Sequence, residues 1–302
     1  MSTPMERLAQ IQWRWWLDQL KEYALLMRLD KPIGTLLLLW PTLWALWLAG
    51  EGRPNPRIFS IFVAGVFLMR SAGCVINDYA DRKVDPHIER TKNRPLAAGR
   101  VSPQEALMLA GGLALVALGL VLMLDLQALL WAMPAAAIAT AYPFFKRFTN
   151  FPQFYLGIAF SWGIPMAYAA QTGEVTRIAW LLFIANLSWV VAYDTQYAMV
   201  DKKDDLRIGV KSTAIAFGDL DRFWIGIFQG LCLFTLYLVG RDSDLGGWFN
   251  LSLLVVGILF AWQQVLTRDR KPDACFQAFL HNRYVGAAVL GGLILHYTFV
   301  PA

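Results

Sequence analysis

Long apolar runs alternate with short polar ones along almost the whole chain. Runs at 33–50, 58–76, 106–124, 126–142, 154–170, 178–199, 223–239, 248–266 and 284–300 are each long and apolar enough to cross a bilayer core as a helix. The pattern predicts an all-α fold, a polytopic membrane helical bundle of about nine transmembrane helices. Pro41 and Pro165 fall inside predicted spans, a break that a membrane bundle tolerates where neighbouring groups satisfy the freed carbonyl. Turns are marked by Pro54 and Pro56 after the first run, by Asp125 between the third and fourth, and by TGEVTR before the sixth.

The stretch before the first run has a different rhythm. Trp13, Trp15, Trp16, Leu20, Tyr23, Leu26 and Met27 are spaced among charges over residues 10–31, as in an amphipathic helix that lies on a membrane surface or packs on the bundle. Glu6, Asp18, Glu22 and Asp30 occur here, without a short apolar core and cleavage site, so the segment reads as neither signal nor transit peptide. The expected organisation is an N-terminal cytoplasmic or interfacial segment, residues 1–32, followed by one transmembrane domain, residues 33–302, with two similar acidic halves.

Composition agrees with the pattern: 57% of residues are hydrophobic, 16% are charged, Trp occurs thirteen times and mean hydropathy is +0.44. The net charge of +5 concerns topology rather than nucleic acid. Of the 27 Lys and Arg residues, Arg70 lies within a span and Arg53, Arg57, Arg177 and Arg241 occupy one set of loops; all others lie before the first span or in the opposite loops. The positive-inside rule therefore places the N-terminus and the basic loops in the cytoplasm. Cys74, Cys232 and Cys275 lack metal-ligand spacing and read as packing residues. His87 stands near the first acidic stretch, whereas His281 and His296 read as interfacial or packing side chains.

Two polar stretches at span ends carry the chemistry. NDYADRKVD ends at Asp85 and YDTQYAMVDKKDD ends at Asp205. On a continuous helix, Asn77, Asp78, Asp81 and Asp85 share an arc of roughly 100°, and so do Asp194, Tyr197, Asp201, Asp204 and Asp205. Asn77, Asp81 and Asp85 each precede Tyr197, Asp201 and Asp205 by 120 residues, so the spacing is built twice. Carboxylates this dense repel one another unless a cation lies between them, and hard oxygen ligands suit Mg²⁺, which keeps its remaining positions for water and phosphate. Two such clusters, expected to face each other beside basic loops at the cytoplasmic mouth of an apolar, aromatic bundle, imply a diphosphate on a long isoprenoid chain. The bland alternative is a pair of solvated acidic helix ends.

NDYADRKVDPHIERTKNRPLAAG and YAMVDKKDDLRIGVKSTAIAFG resemble the two aspartate motifs of the membrane-embedded aromatic prenyltransferases, the UbiA superfamily. LDKPIGTLLLLWPTLWALWLA and YPFFKR are similar to those of its 4-hydroxybenzoate polyprenyltransferases. The resemblance covers nearly the whole chain. It implies a nine-helix bundle in a bacterial inner membrane, with Mg²⁺ as cofactor, polyprenyl diphosphate and 4-hydroxybenzoate as substrates, and an active site at the cytoplasmic face. The Mg²⁺ and diphosphate ligands it implies are Asn77, Asp81, Asp85, Asp201 and Asp205, with Asp78, Asp194, Tyr197 and Asp204 on the same faces. Arg147 matches a basic residue near the diphosphate, its alternative being a positive-inside anchor. Lys92, Arg94, Arg207 and Lys211 are candidates to cover the phosphates or are solvated loop charges. Arg70, a charge inside a span, either binds the acceptor carboxylate or pairs with a motif carboxylate; Asp194 or Asp201 is a candidate base. Rival readings are a family enzyme with a naphthoate, homogentisate, haem or chlorophyll-type acceptor, and a transporter. A CDP-alcohol phosphotransferase would require a DG-x-x-AR segment, which this chain lacks.

Overall fold

The computed structural model describes residues 16–88, 90–145 and 148–300. Every predicted apolar run is helical. Helix α1 covers residues 16–26 of the described chain, followed by α2 (Ile33–Ala49), α3 (Pro56–Asp81), α4 (Pro103–Val121), α5 (Leu126–Phe145), α6 (Pro152–Ser161) and α7 (Gly163–Thr172). The long α8 (Arg177–Ile208), the single turn α9 (Thr213–Ala216), α10 (Asp221–Asp242), α11 (Gly247–Leu266) and α12 (Pro272–Phe299) complete the order. Among the described residues, six helices are long and apolar enough to span a membrane by themselves, and Ile33–Ala49 and Leu126–Ala141 are shorter apolar helices. Nine separate crossings is thus more than length and composition alone support.

Two predicted boundaries change for local reasons. The fifth run is two helices, α6 and α7, meeting at Trp162. Pro165 has no N–H to donate to the Ser161 carbonyl, so the ladder is interrupted there. The last helix begins at Pro272, not near Tyr284, because Lys271 caps an opening turn of charged sequence that an apolar scan passes over. At the other end of the same logic, α8 stops where Gly209 adopts a left-handed conformation, φ 72°, and returns its N–H to the Asp205 carbonyl.

The chain divides into two compact units. One comprises the residues through Pro32 with Phe67–Leu118, the other Ile33–Val66 with Gly119–Ala302. In the first, Leu26 of α1 is buried against Val75, Leu96, Val101, Ala106 and Ala110. A reciprocal capping box opens α4: Ser102 N–H donates to Glu105 Oε2 at 2.8 Å and Glu105 N–H donates to Ser102 Oγ at 3.2 Å. The other Glu105 oxygen accepts from Tyr23 Oη at 2.9 Å and from Gln19 Nε2 at 3.1 Å, so one carboxylate caps a helix and anchors α1.

In the second unit, Trp44 and Trp189 stack at 5.3 Å in a core shared by α2, α7, α8 and α12. Trp44 Nε1 donates to the Gly286 carbonyl at 3.0 Å. A side chain at Gly286 would collide with the Trp40 ring, so only glycine admits this approach. Neutral amides join four helices: Trp189 Nε1 donates to Asn282 Oδ1, Asn282 to Gln196, and both Gln196 and Gln229 to Gln263, each within 2.8–3.0 Å. Buried amides without formal charge tie membrane helices together at modest energetic risk.

Candidate functional site

The first acidic stretch begins on α3 and leaves it. Asn77, Asp78 and Asp81 belong to the last turns of the helix, whereas Asp85 opens a separate 3-10 turn, Asp85–His87. The expectation of one helical face through Asp85 is therefore corrected. Pro86 has no N–H with which to continue the helix, and the intervening residues turn instead, with Val84 N–H donating to the Asp81 carbonyl at 2.7 Å.

Asp78, Asp81 and Asp85 are all buried. Arg28, held in a left-handed conformation just after α1, donates through Nη2 to both Asp78 oxygens at 2.8 Å. Arg94 Nη1 lies 3.0 Å from Asp78 Oδ1 and 2.9 Å from Asp85 Oδ2, bridging the two acids. Thr91 Oγ1 donates to the Asp85 carbonyl at 2.9 Å. Burial pushes the Asp85 carboxyl above the usual carboxylate range; the Arg94 charge opposes this, and Asp81 and Asp78 reinforce it. Three buried carboxylates from one motif thus gather here with Arg28 and Arg94 on two of them, and carboxylate oxygens are donors that suit a hard divalent cation. Lys92 and His87 are exposed beside it. Arg70, one turn before Cys74 on α3, donates to Cys74 Sγ at 2.7 Å, and among the described residues no carboxylate pairs with it. A thiol satisfies an N–H without neutralising the guanidinium charge.

The second stretch remains on α8 to its end, as expected. Trp189, Tyr193 and Tyr197 follow one another at four-residue spacing; Trp189 and Tyr193 meet edge to face at 5.4 Å, and Tyr197 lies 4.8 Å from Phe279. This aromatic column leads from the core to a cavity of about 120 Å³ lined by Asp194, Tyr197, Asp201, Asp205, Lys211, Ser212 and Gln153. A second cavity of about 310 Å³ continues past Asp205, Lys211 and Ser212 to Asn150. Acids, a cation, a hydroxyl and an aromatic ring thus line adjoining space at the end of one helix. Asp204 turns away from it and makes a loose 3.6 Å pair with exposed Arg207.

The segment after Gly209 is held by a group that sequence reasoning overlooked. Asp221 is fully buried and accepts from Arg270 Nε at 2.9 Å and Lys202 Nζ at 3.2 Å. Lys202 also donates to the Gly218 carbonyl and Arg270 to the Asp219 carbonyl, so the far end of the segment bearing Lys211 and Ser212 is fastened to α8 and to Arg270. Arg28, Gln153 and Ser212 were also missed. Arg28 meets a partner 50 residues away, which no local pattern signals.

Arg147 lies outside the described residues. Among the described residues, no three His, Cys, Asp or Glu side chains gather as a ready metal-holding group. The Asp78 and Asp85 oxygens are directed at arginine instead. All three cysteines are buried and free. His296 Nδ1 accepts from Gly246 N–H at 3.0 Å, a packing role.

These features agree with the comparisons to known proteins. Residues 38–283 match the UbiA prenyltransferase family. A 4-hydroxybenzoate octaprenyltransferase of Stutzerimonas stutzeri is 55% identical over 276 residues, covering 91% of this chain and 93% of the relative. In fold, the apo UbiA homolog of Aeropyrum pernix K1 aligns with a TM-score of 0.77 at 23% identity over 89% of this chain and 98% of that one. The UbiA homolog of Archaeoglobus fulgidus bound to GPP and Mg²⁺ aligns with a TM-score of 0.67 at 16% identity, covering 90% and 99%. With its paired aspartate motifs on a bundle of apolar helices, this multi-pass membrane protein belongs to the UbiA prenyltransferase family.

Proposed function

We propose that the chain transfers a polyprenyl group from polyprenyl diphosphate to carbon 3 of 4-hydroxybenzoate, releasing diphosphate, in ubiquinone biosynthesis. The single observation that carries this is the near full-length likeness to a 4-hydroxybenzoate octaprenyltransferase. Asn77, Asp81 and Asp85 from the first motif, and Asp201 and Asp205 from the second, would supply the oxygens that hold magnesium at the diphosphate. The burial of Asp78, Asp81 and Asp85 together supports this for the first motif, and the carboxylate-lined cavity supports it for the second. Magnesium bound there would neutralise charge on the departing diphosphate. Arg94, Arg147, Lys92, Arg207 and Lys211 provide further positive charge around it.

Tyr197 lines the cavity beside the acids, and an aromatic ring there stabilises positive charge as it develops at the allylic carbon. Arg70 holds the acceptor carboxylate, for which its thiol-only hydrogen bond leaves a full charge available. A small ring in an apolar bundle needs such a handle, because misplacement by about 1 Å costs on the order of 10²-fold in rate. Asp194 or Asp201 accepts the ring proton as aromaticity returns. The protein is oriented with its N-terminus and both motifs toward the cytoplasm of a bacterial inner membrane.

Product mass spectrometry with mixed prenyl diphosphates and aromatic acids tests the reading. Prenylated 4-hydroxybenzoate should dominate, and preference for 1,4-dihydroxy-2-naphthoate would overturn the acceptor assignment. Arg70→Ala should narrow the discrimination between 4-hydroxybenzoate and its methyl ester.

A further inference from the structure

Ser212 is in an unusual position for a buried hydroxyl. It is the N-cap residue of α9, with extended backbone at φ −154° and ψ 160°, yet its side chain makes no capping hydrogen bond. The capping work is done by other atoms. The Ser212 carbonyl accepts from Ile215 N–H at 3.1 Å and Ala216 N–H at 2.9 Å, and Thr213 N–H donates to Gln153 Oε1 at 3.0 Å. Thr213 Oγ1 is paired with Thr195 Oγ1 at 2.7 Å, which fixes the same turn to α8. The backbone around Ser212 is thus satisfied and anchored on two helices, while its own Oγ, in a residue only 4% exposed, has no hydrogen-bond partner among the described residues.

A buried orphan hydroxyl is costly unless something later supplies its partner. Ser212 lines both cavities at the end of α8, beside Lys211 and Asp205 in each. We propose that Ser212 is a diphosphate-binding residue, its Oγ–H donating to a phosphate oxygen that the Lys211 ammonium also attracts. The chemistry selects an anionic oxygen rather than the aromatic acceptor. Lys211 is the cation lining both cavities, the carboxylates there need a divalent ion between themselves and any phosphate, and a hydroxyl adds a directional donor to that arrangement. This rests on the reading of the site as a prenyl diphosphate pocket and adds to it a neutral donor supplied by the loop.

The test is calorimetric titration of inorganic pyrophosphate, with saturating Mg²⁺, into the detergent-solubilised full chain and its Ser212→Ala and Ser212→Cys variants. Cys keeps the approximate size and donates only weakly. Both variants should bind pyrophosphate about tenfold or more weakly, as expected for loss of a hydrogen bond to a charged group. The ligand-free melting temperature of Ser212→Ala should equal or exceed that of the parent, because an unsatisfied buried hydroxyl has been removed. Pyrophosphate affinity within about twofold of the parent in both variants would overturn the proposal. So would a lowered melting temperature with unchanged affinity, the signature of a purely structural hydroxyl. Loss of affinity at Ser212 in a protein that prenylates some other acceptor would refute the 4-hydroxybenzoate reading and leave this one standing; a parent chain that binds no magnesium pyrophosphate refutes this one.

Discussion

The two aspartate motifs have the same spacing and different backbones. Asp81 ends α3 and Asp85 sits in a 3-10 turn, whereas Asp201 and Asp205 remain on one helix that runs to Ile208. The position after the third motif residue accounts for this: it is Pro86 in the first stretch and Leu206 in the second, again 120 residues apart. Proline deletes one rung of the helical ladder and leucine preserves it. The acids also meet different surroundings. Asp78 and Asp85 are shielded by arginines from α1's end and from the following loop, while Asp201 and Asp205 line a cavity. A repeated spacing therefore conserves the set of oxygen donors without conserving the geometry that presents them.

Substitutions that remove the common donors should have the largest effect. Asp81→Ala and Asp201→Ala should each lower turnover by about 10²-fold or more while membrane insertion persists, as measured by initial rates on protein quantified in the membrane. Near-normal rates for both would end the idea of duplicated function. EDTA should abolish turnover and added Mg²⁺ restore it.

Exchanging the backbone determinants comes next. Leu206→Pro should cost about 3 kcal/mol by breaking α8 within the motif, although the Leu206 side chain is exposed and contributes little itself. Pro86→Leu disrupts no existing helix and should shift thermal stability much less. Equal losses in the two variants, followed by thermal unfolding in detergent, would contradict the assignment of the asymmetry to these residues.

The smallest effects separate shielded from solvated acids. Asp78→Asn should destabilise by about 2 kcal/mol, below the value for a fully buried pair because Arg28 and Arg94 retain some solvent contact. Asp204→Asn should change stability by less than about 0.5 kcal/mol, since its pair with Arg207 is long and exposed. A comparable loss at Asp204 would show that the second motif depends on charge pairing as the first does.

What the sequence by itself determined is whatever depends on neighbours along the chain. The apolar runs specify helices because hydrocarbon-length segments must satisfy their own backbone groups, and the duplicated acids mark the candidate site because carboxylates at that density demand a cation. Even the exit of Asp85 from its helix was written locally, in Pro86, and was missed only because periodicity was followed past a proline. Tertiary structure decided the rest. Arg28 reaches Asp78 across 50 residues, and Asp221 gathers Lys202 from 19 residues away and Arg270 from 49. The turn that carries Ser212 is held by Gln153, 60 residues before Thr213, whose N–H it accepts. Such pairings depend on which faces pack together, and hydrophobic periodicity records how strongly a face is buried but not what it is buried against.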